Sequence, residues 1–249
     1  MSIKVNSASK MKHPFSLIEL LVIVAIIGIL ASLLLPVLGQ ARKKSKLALC
    51  TSNNKQISIA IYMYTEDHDD YFPFSSEHNN TSWDDRLGIM EYDGRNITAE
   101  QVDNKSKLTD ASIYECPASE VALTNQNNQK RSYSLNYGKA HKPSQFRGIG
   151  TGSWSMKSNE VNDASQSIMI TENNKPGNYL GNNNNDFTNN NFIKAFYDTP
   201  DFWTHKYGQL NLSMIDGSVR ILSMQHSYLG LRDATSSGNQ IGTMWDCQD

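Results

Sequence analysis

The chain has 249 residues, a formal net charge of -2, 39% hydrophobic residues and 19% charged residues. This length allows one substantial domain with an appendage, or two small domains. Nothing in this nearly balanced charge indicates a nucleic-acid partner, so we expect none. The cysteines Cys50, Cys116 and Cys247 form no C-x-x-C pair, so the usual sequence spacing of zinc and iron–sulfur sites is absent.

The apolar residues are concentrated in one stretch near the N-terminus. Residues 15–38 contain a single charged residue, Glu19, whereas residues 1–14 are polar. A helix of about 20 apolar residues crosses the hydrocarbon layer of a bilayer, so residues 15–38 are predicted to span a membrane. A secretory signal peptide has a shorter apolar core of about 7–15 residues and a small-residue cleavage site, which this stretch lacks. A plain membrane anchor explains the length but leaves Glu19 unexplained, because a carboxylate in an apolar helix usually has a partner or a function.

The residues that begin this stretch, Phe15-Ser16-Leu17-Ile18-Glu19-Leu20-Leu21-Val22, resemble the type IV prepilin motif. In that family a prepilin peptidase cuts before the Phe and methylates the new N-terminal amine. The resemblance therefore implies cleavage between Pro14 and Phe15 and N-methylation of Phe15. Glu19 is the fifth residue from Phe15, the position of the family's assembly glutamate, which pairs with the N-terminal amine of a neighbouring subunit. The family usually has Gly before the cut, where this chain has Pro14.

Other features of the N-terminal region concern its start, shape and orientation. Met11 is an alternative start that would leave a shorter leader. Pro36 lies where many pilins carry a helix-bending proline, and a proline inside a helix removes a hydrogen bond and kinks the axis. Positive residues flank the apolar stretch on both sides, so charge alone does not orient it. The basic residues after it, near Lys43, either contact lipid head groups or a neighbouring subunit, or are simply solvated.

Residues 39–66 are predicted to continue the helix, because residues 41–64 contain neither Pro nor Gly. Apolar side chains recur there at helical spacing and predict a face that packs on the soluble domain. These residues are Leu47, Cys50, Ile57, Ile61 and Tyr64. The sequence Tyr71-Phe72-Pro73, after a run of acidic residues, predicts the end of the helix.

Residues 67–249 are predicted to form the soluble domain, with short helices and strands and long loops. Alternating residues predict a β-hairpin over 209–223, with Asp216-Gly217 as a two-residue type I′ turn. The Asn-rich sequence 173–191 predicts a long flexible loop. The other expected elements are a helix over 82–90, the end of an extended segment at 114–117, and strands over 132–137, 167–171 and 192–197.

The C-terminal part resembles a module found in many prepilin-like proteins, named for a His, about nine residues, and Asp-Gly. His205, Asp216 and Gly217 match it, although ten residues rather than nine separate His205 from Asp216. The resemblance implies a pseudopilin-like subunit that depends on processing and assembly.

The sequence also contains residues that could take part in catalysis, metal binding or a disulfide. A hydrolase would use His205, Asp216 or His226, but a His and an Asp without a recognisable nucleophile motif do not indicate one, so we predict no enzyme activity. Calcium needs six to eight oxygen ligands, which the acidic residues 66–70 or the Asn-rich loop around Asp186 could supply, although neither has the spacing of an EF-hand. We therefore predict no cofactor, with calcium as the alternative. Cys50 and Cys116 are the candidate disulfide if the domain lies outside the cytoplasm, and otherwise the cysteines are free thiols.

Together these patterns predict an α+β, pilin-like fold with a long N-terminal helix and a small antiparallel sheet. The predicted function is that of a structural subunit of a type II secretion pseudopilus or a type IV pilus-like filament. Its implied partners are identical or related pilin subunits, the prepilin peptidase, the inner-membrane assembly platform and membrane lipid. The implied location is a bacterial inner membrane, with a cytoplasmic N-terminus and a periplasmic C-terminal domain, and a filament after processing. The alternative is a single-pass anchored extracytoplasmic binding domain that does not polymerise.

Overall fold

The computed structural model describes residues 16–74, 81–104, 111–138, 148–150, 152, 154–181, 205, 209–227 and 243–247. The predicted leader, Pro14, Phe15, Asp186 and the predicted strand 192–197 lie outside these residues. Contacts divide the chain into two compact units, one ending at Lys44 and the other running Ser45–Asp249. The second unit therefore begins inside the first helix.

The first helix, α1, spans Leu17–Asp67, with Pro36 inside it. It covers both the predicted membrane-spanning segment and its predicted continuation. At its C-terminal end Asp69 and Asp70 adopt left-handed backbone conformations, with φ of 52° and 68°. The amide of Asp70 donates to the carbonyl of Thr65 at 3.1 Å. Aspartate tolerates this conformation better than most residues, so the acidic run itself allows the chain to leave the helix before Tyr71.

The second unit contains a four-stranded antiparallel sheet with strand order β1-β2-β3-β4. The strands are β1 Tyr133–Leu135, β2 Ile168–Glu172, β3 Gln209–Met214 and β4 Val219–Ser223. Glu172 pairs with Tyr133, Thr171 with Leu212, and Ser213 with Val219. A helix and an antiparallel sheet confirm the α+β class.

The shorter helices are α2 Trp83–Ile89, α3 Ala99–Asn104 and α4 Met224–Ser227. The helix predicted at 82–90 is confirmed, and Ser82 and Asp85 form a capping box at its start. The extended segment predicted at 114–117 is wrong in part, because a 3-10 turn occupies Ser112–Tyr114. The turn places the Tyr114 ring in the core, where its hydroxyl donates to Asp93 at 2.6 Å.

The hairpin between β3 and β4 confirms the predicted strands but not the predicted turn. A type I′ turn requires positive φ at both central residues, whereas Gly217 has φ of 79° and Asp216 does not have a positive φ. The Gly217 amide donates to the Met214 carbonyl at 3.0 Å, and the Met214 amide donates to the Ser218 carbonyl at 2.8 Å. These bonds describe a type I turn followed by a left-handed glycine. The Asp216 carboxylate accepts from the Ser218 amide at 2.8 Å, which stabilises this alternative.

The core of the second unit lies against α1. Cys50, Ile57, Ile61 and Tyr64 of the predicted apolar face are buried, and Leu47 is half-buried. They join a cluster that includes Phe72, Trp83, Tyr114, Tyr133, Met169 and Ile170. The predicted apolar face is therefore confirmed.

A polar contact between α1 and β3 adds to this core. Asn54 and Ser58 are fully buried; the Asn54 amide donates to the Asn211 carbonyl at 3.3 Å, and the hydroxyls of Ser58 and Ser213 share a hydrogen bond. Side chains alternate across a strand, so the polar face of β3 meets the helix while Leu212 is buried on the opposite face.

Part of the Asn-rich segment is packed in the same unit. Asn173, Asn174 and Asn178 are buried, and the Asn178 side-chain amide donates to the Asn173 and Tyr133 carbonyls at 2.8 and 3.3 Å. The prediction of a flexible loop is therefore wrong for residues 173–181, because Asn178 binds buried backbone carbonyls and the Asn173 side-chain amide donates to the Ser134 hydroxyl at 2.6 Å.

Candidate functional site

The N-terminal part of α1 presents a continuous apolar surface. Every large apolar side chain over residues 17–38 is exposed, from 42% for Ile23 to 80% for Leu17. These side chains follow one another around the whole helix rather than along one stripe. A helix that is apolar on all sides is stable only in lipid or when other protein surrounds it. Among the described residues, α1 is the one helix long and apolar enough to cross a membrane, judged by length and composition.

Glu19 lies on this apolar surface and has a local partner. Its carboxylate accepts a hydrogen bond from the Ser16 amide at 2.9 Å, and its own amide donates to the Ser16 hydroxyl at 3.2 Å. This reciprocal pair is a capping box, which satisfies two free amides at the start of a helix. The sequence prediction gave Glu19 an intermolecular role only, and the local cap is a second role that the Ser-x-x-Glu spacing also indicates.

The basic residues after the apolar segment are exposed as well. Arg42, Lys43 and Lys44 show their side chains on the surface of α1. Long basic side chains at the end of a membrane helix reach the head-group region. Their position fits a helix whose apolar part ends near Leu38.

A disulfide joins α1 to a loop of the second unit. It links Cys50, on α1, to Cys116, which follows the 3-10 turn. Cys247 is buried outside this disulfide, and its sulfur accepts from the Asn136 side-chain amide at 3.8 Å. The Asn53 side-chain amide donates to the Glu115 carbonyl at 3.1 Å, and the Tyr133 hydroxyl donates to the Cys50 carbonyl at 3.1 Å. Burial raises the pKa of Tyr133 well above its ordinary value, so its hydroxyl keeps the donated proton.

His205 lies beside this disulfide and forms a buried hydrogen bond with Glu172. Its Nε2 is 2.7 Å from Oε1 of Glu172 and 3.7 Å from Sγ of Cys116. The side chains of His205 and Glu172 are 6% and 1% exposed. The second carboxylate oxygen of Glu172 accepts from the Asn211 amide at 3.2 Å. The sequence analysis identified His205 as a candidate residue but missed Glu172. The sequence feature that could have indicated Glu172 is its position as a charged residue directly after the predicted apolar strand 167–171.

Asp216 and Gly217, the other end of the His and Asp-Gly motif, lie in the turn beyond β3. The Asp216 carboxylate is 3.7 Å from the Arg220 guanidinium and holds the Ser218 amide. Partial burial acts to raise the pKa of Asp216, but the hydrogen bonds to Ser218 and the charges of Arg220 and Lys55 together lower it below its ordinary value. His226 is exposed, and its amide donates to Ser223. The three residues considered for hydrolysis therefore have separate surroundings and partners.

Of the residues considered as calcium ligands, the acidic ones over 66–70 belong to the described part of the chain and Asp186 does not. Glu66, Asp69 and Asp70 are exposed, and Asp67 accepts a hydrogen bond from the Tyr92 hydroxyl at 2.5 Å. Within the described part of the chain, the group whose donor atoms come close enough for a metal is a different one. It consists of Cys50, Cys116, Glu172 and His205, whose donor atoms all lie within 4.8 Å of one another.

A second buried charged cluster lies at the start of α2. The Asp84 carboxylate forms an ion pair with Arg131 and accepts from the Gly181 amide at 3.0 Å. The Asp85 carboxylate accepts from the Ser82 amide at 2.8 Å. Burial, together with the charge of Asp84, raises the pKa of Asp85 to about 7.

No family model, curated protein or solved structure matches this chain. A function therefore has to be argued from the residues themselves: the exposed apolar helix, Glu19 at its start, and the folded unit that follows.

Proposed function

We propose that the protein is a structural subunit of a helical filament of the type IV pilus or type II secretion pseudopilus kind. The observation that carries the proposal is the all-round exposure of the apolar residues 17–38. After cleavage before Phe15, this segment would move from lipid into the centre of a filament, where the same segments of neighbouring subunits surround it.

The physical chemistry of the segment supports a change of surroundings. Lipid tails and packed apolar helices are both free of water, so moving the segment between them exposes no apolar surface. Apolar contact alone therefore does not determine which helix the segment packs against or in which register. In the proposal, the charged residue of the segment determines both.

Glu19 is that residue. A carboxylate in an apolar environment is costly on its own and becomes tolerable when a positive charge lies beside it. In the proposed filament, the N-terminal amine of Phe15 in one subunit pairs with Glu19 of the next. The pairing also defines the register, because each subunit has one such amine and one such carboxylate in this segment.

The capping contact between Ser16 and Glu19 favours a second candidate function. Because Glu19 has a partner within its own chain, the helix tolerates the carboxylate without a neighbour. A single-pass anchored extracytoplasmic domain that never polymerises is consistent with that contact.

Shearing of intact cells distinguishes the two functions. A filament subunit is expected in the sheared, sedimentable fraction and, by immunogold electron microscopy, along thin fibres. An anchored domain is expected in the membrane fraction alone, and that distribution under conditions in which the chain is well expressed would overturn the proposal.

A further inference from the structure

The disulfide region brings four potential metal ligands together from four parts of the chain. Cys50 belongs to α1, Cys116 to the loop after the 3-10 turn, and Glu172 to the end of β2, while His205 precedes β3. Their donor atoms lie within 4.8 Å of one another. No sequence spacing indicates this group, because the fold alone brings its members together.

The donor set matches a closed zinc site. Zinc in proteins prefers four ligands, with bonds of about 2.3 Å to sulfur and about 2.0–2.2 Å to nitrogen and oxygen, which places tetrahedral donor atoms about 3.3–3.8 Å apart. The separation of 3.7 Å between Sγ of Cys116 and Nε2 of His205 already has this value. The 2.7 Å between His205 and Glu172 needs to widen by about 0.6 Å. The two sulfur atoms have to separate, which requires reduction of the disulfide.

The surroundings fit a metal better than they fit a free thiol pair. All four residues are buried or nearly so. The Asn211 amide holds the outer oxygen of Glu172 and leaves Oε1 directed at His205. A hydrogen bond of this kind orients a ligand carboxylate at a metal.

We propose that the chain with Cys50 and Cys116 reduced binds one Zn²⁺ ion through Cys50, Cys116, Glu172 and His205. A dithiol reductant supplies two electrons, which break the S–S bond, and the reductant itself becomes a disulfide. The two thiols that form lose their protons to solvent when Zn²⁺ binds. His205 binds through Nε2 as a neutral imidazole whose proton is on Nδ1.

The formal charge supports this exchange. With a neutral imidazole, the oxidised site carries the single negative charge of Glu172. Two thiolates, one carboxylate and Zn²⁺ also sum to one negative charge, so the metal adds no net charge to a buried site. Either bond, the disulfide or the zinc, connects α1 to the Cys116 loop. The inference goes beyond the filament function and does not depend on it.

Cobalt titration of the full-length chain in detergent micelles tests the site. After reduction by a phosphine under argon, one equivalent of Co²⁺ is expected to give the visible d–d bands of tetrahedral cobalt with a sulfur-to-metal charge-transfer band, and Zn²⁺ is expected to abolish both. The oxidised chain is expected to give neither. A reduced chain without these bands would overturn the proposal.

Variants identify the ligands. Glu172→Gln and His205→Ala are each expected to weaken Co²⁺ binding at least tenfold, whereas Cys247→Ser, at the cysteine outside the cluster, is expected to bind like the wild type. Equal affinity in all three variants would show that Glu172 and His205 are not ligands. Because a variant can fail to fold, X-ray absorption at the zinc edge of the reduced wild-type chain serves as a second measurement. It is expected to show two sulfur and two nitrogen or oxygen ligands, and any other ratio contradicts the site.

Discussion

Glu19 combines two roles that a residue-scale experiment separates. Glutamine keeps the side-chain oxygen that accepts from the Ser16 amide but has no charge. Glu19→Gln should therefore keep the helix start and membrane insertion, while the sheared filament fraction falls about tenfold or more, as the loss of a charge-assisted contact of about 1.5–3 kcal/mol per subunit implies.

Ser16→Ala is the matched control for this variant. It removes the hydroxyl that accepts from the Glu19 amide but leaves the carboxylate in place. Its filament fraction is expected to stay near the wild-type value. If Glu19→Gln also assembles normally, charge pairing is not what drives assembly.

Asp85 provides a second residue-scale prediction, on pH. Its pKa is about 7 in the folded chain, against an ordinary value of 3.8. Between pH 4 and 7 the Asp85 carboxyl group is therefore mostly ionised in the unfolded chain but still protonated in the folded chain. The free energy of unfolding should fall as the pH rises through this window, by up to about 1.4 kcal/mol per pH unit, and the contribution should level off above it.

Asp85→Asn removes this dependence, because asparagine stays neutral and its oxygen can still accept from the Ser82 amide. Urea unfolding midpoints of the detergent-solubilised chain at pH 5 and pH 8 measure the effect. Asp69→Asn changes an exposed acidic residue and should keep the wild-type difference. If the urea midpoints of Asp85→Asn differ between pH 5 and pH 8 as much as those of the wild type, another group causes the pH dependence.

At the scale of the element, the second half of α1 belongs to the folded unit. Ile61 is fully buried in the core, whereas Ile59 on the same helix is 49% exposed. Ile61→Ala should lower the free energy of unfolding by about 2–5 kcal/mol, through lost burial and a cavity. Ile59→Ala makes the same chemical change in the same helix and should cost less than about 1 kcal/mol. Similar losses in both variants, measured by urea unfolding, would mean that α1 does not pack as described.

The elements differ in how far the sequence predicts them. The apolar face of α1 and the strands of the hairpin follow from local periodicity, which a single segment contains. The polar contact of Asn54 with β3 and the burial of Glu172 do not, because both depend on residues far away in sequence. The turn at Asp216-Gly217 shows the same limit. Asp and Gly suit more than one turn type. The observed turn is stabilised by the Ser218 amide, and Ser218 lies outside the Asp-Gly pair from which the turn was predicted.

At the scale of the whole molecule, one unit of the chain needs lipid or protein partners and the other has its own core. The first unit exposes its large apolar side chains over residues 17–38. The second buries apolar residues of α1 together with residues of the sheet, and a disulfide links α1 to the loop that holds Cys116. The proposed filament subunit uses both parts, and in that proposal cleavage before Phe15 is the step that would release the helix for assembly.

Mass spectrometry of the mature N-terminus tests this account most directly. The chain is isolated from cells that express it naturally, digested, and its N-terminal peptide sequenced. We expect a peptide that begins with N-methylated Phe15. A peptide that begins at Met1 or Met11, with the leader still attached, would contradict the proposed processing and the filament that depends on it.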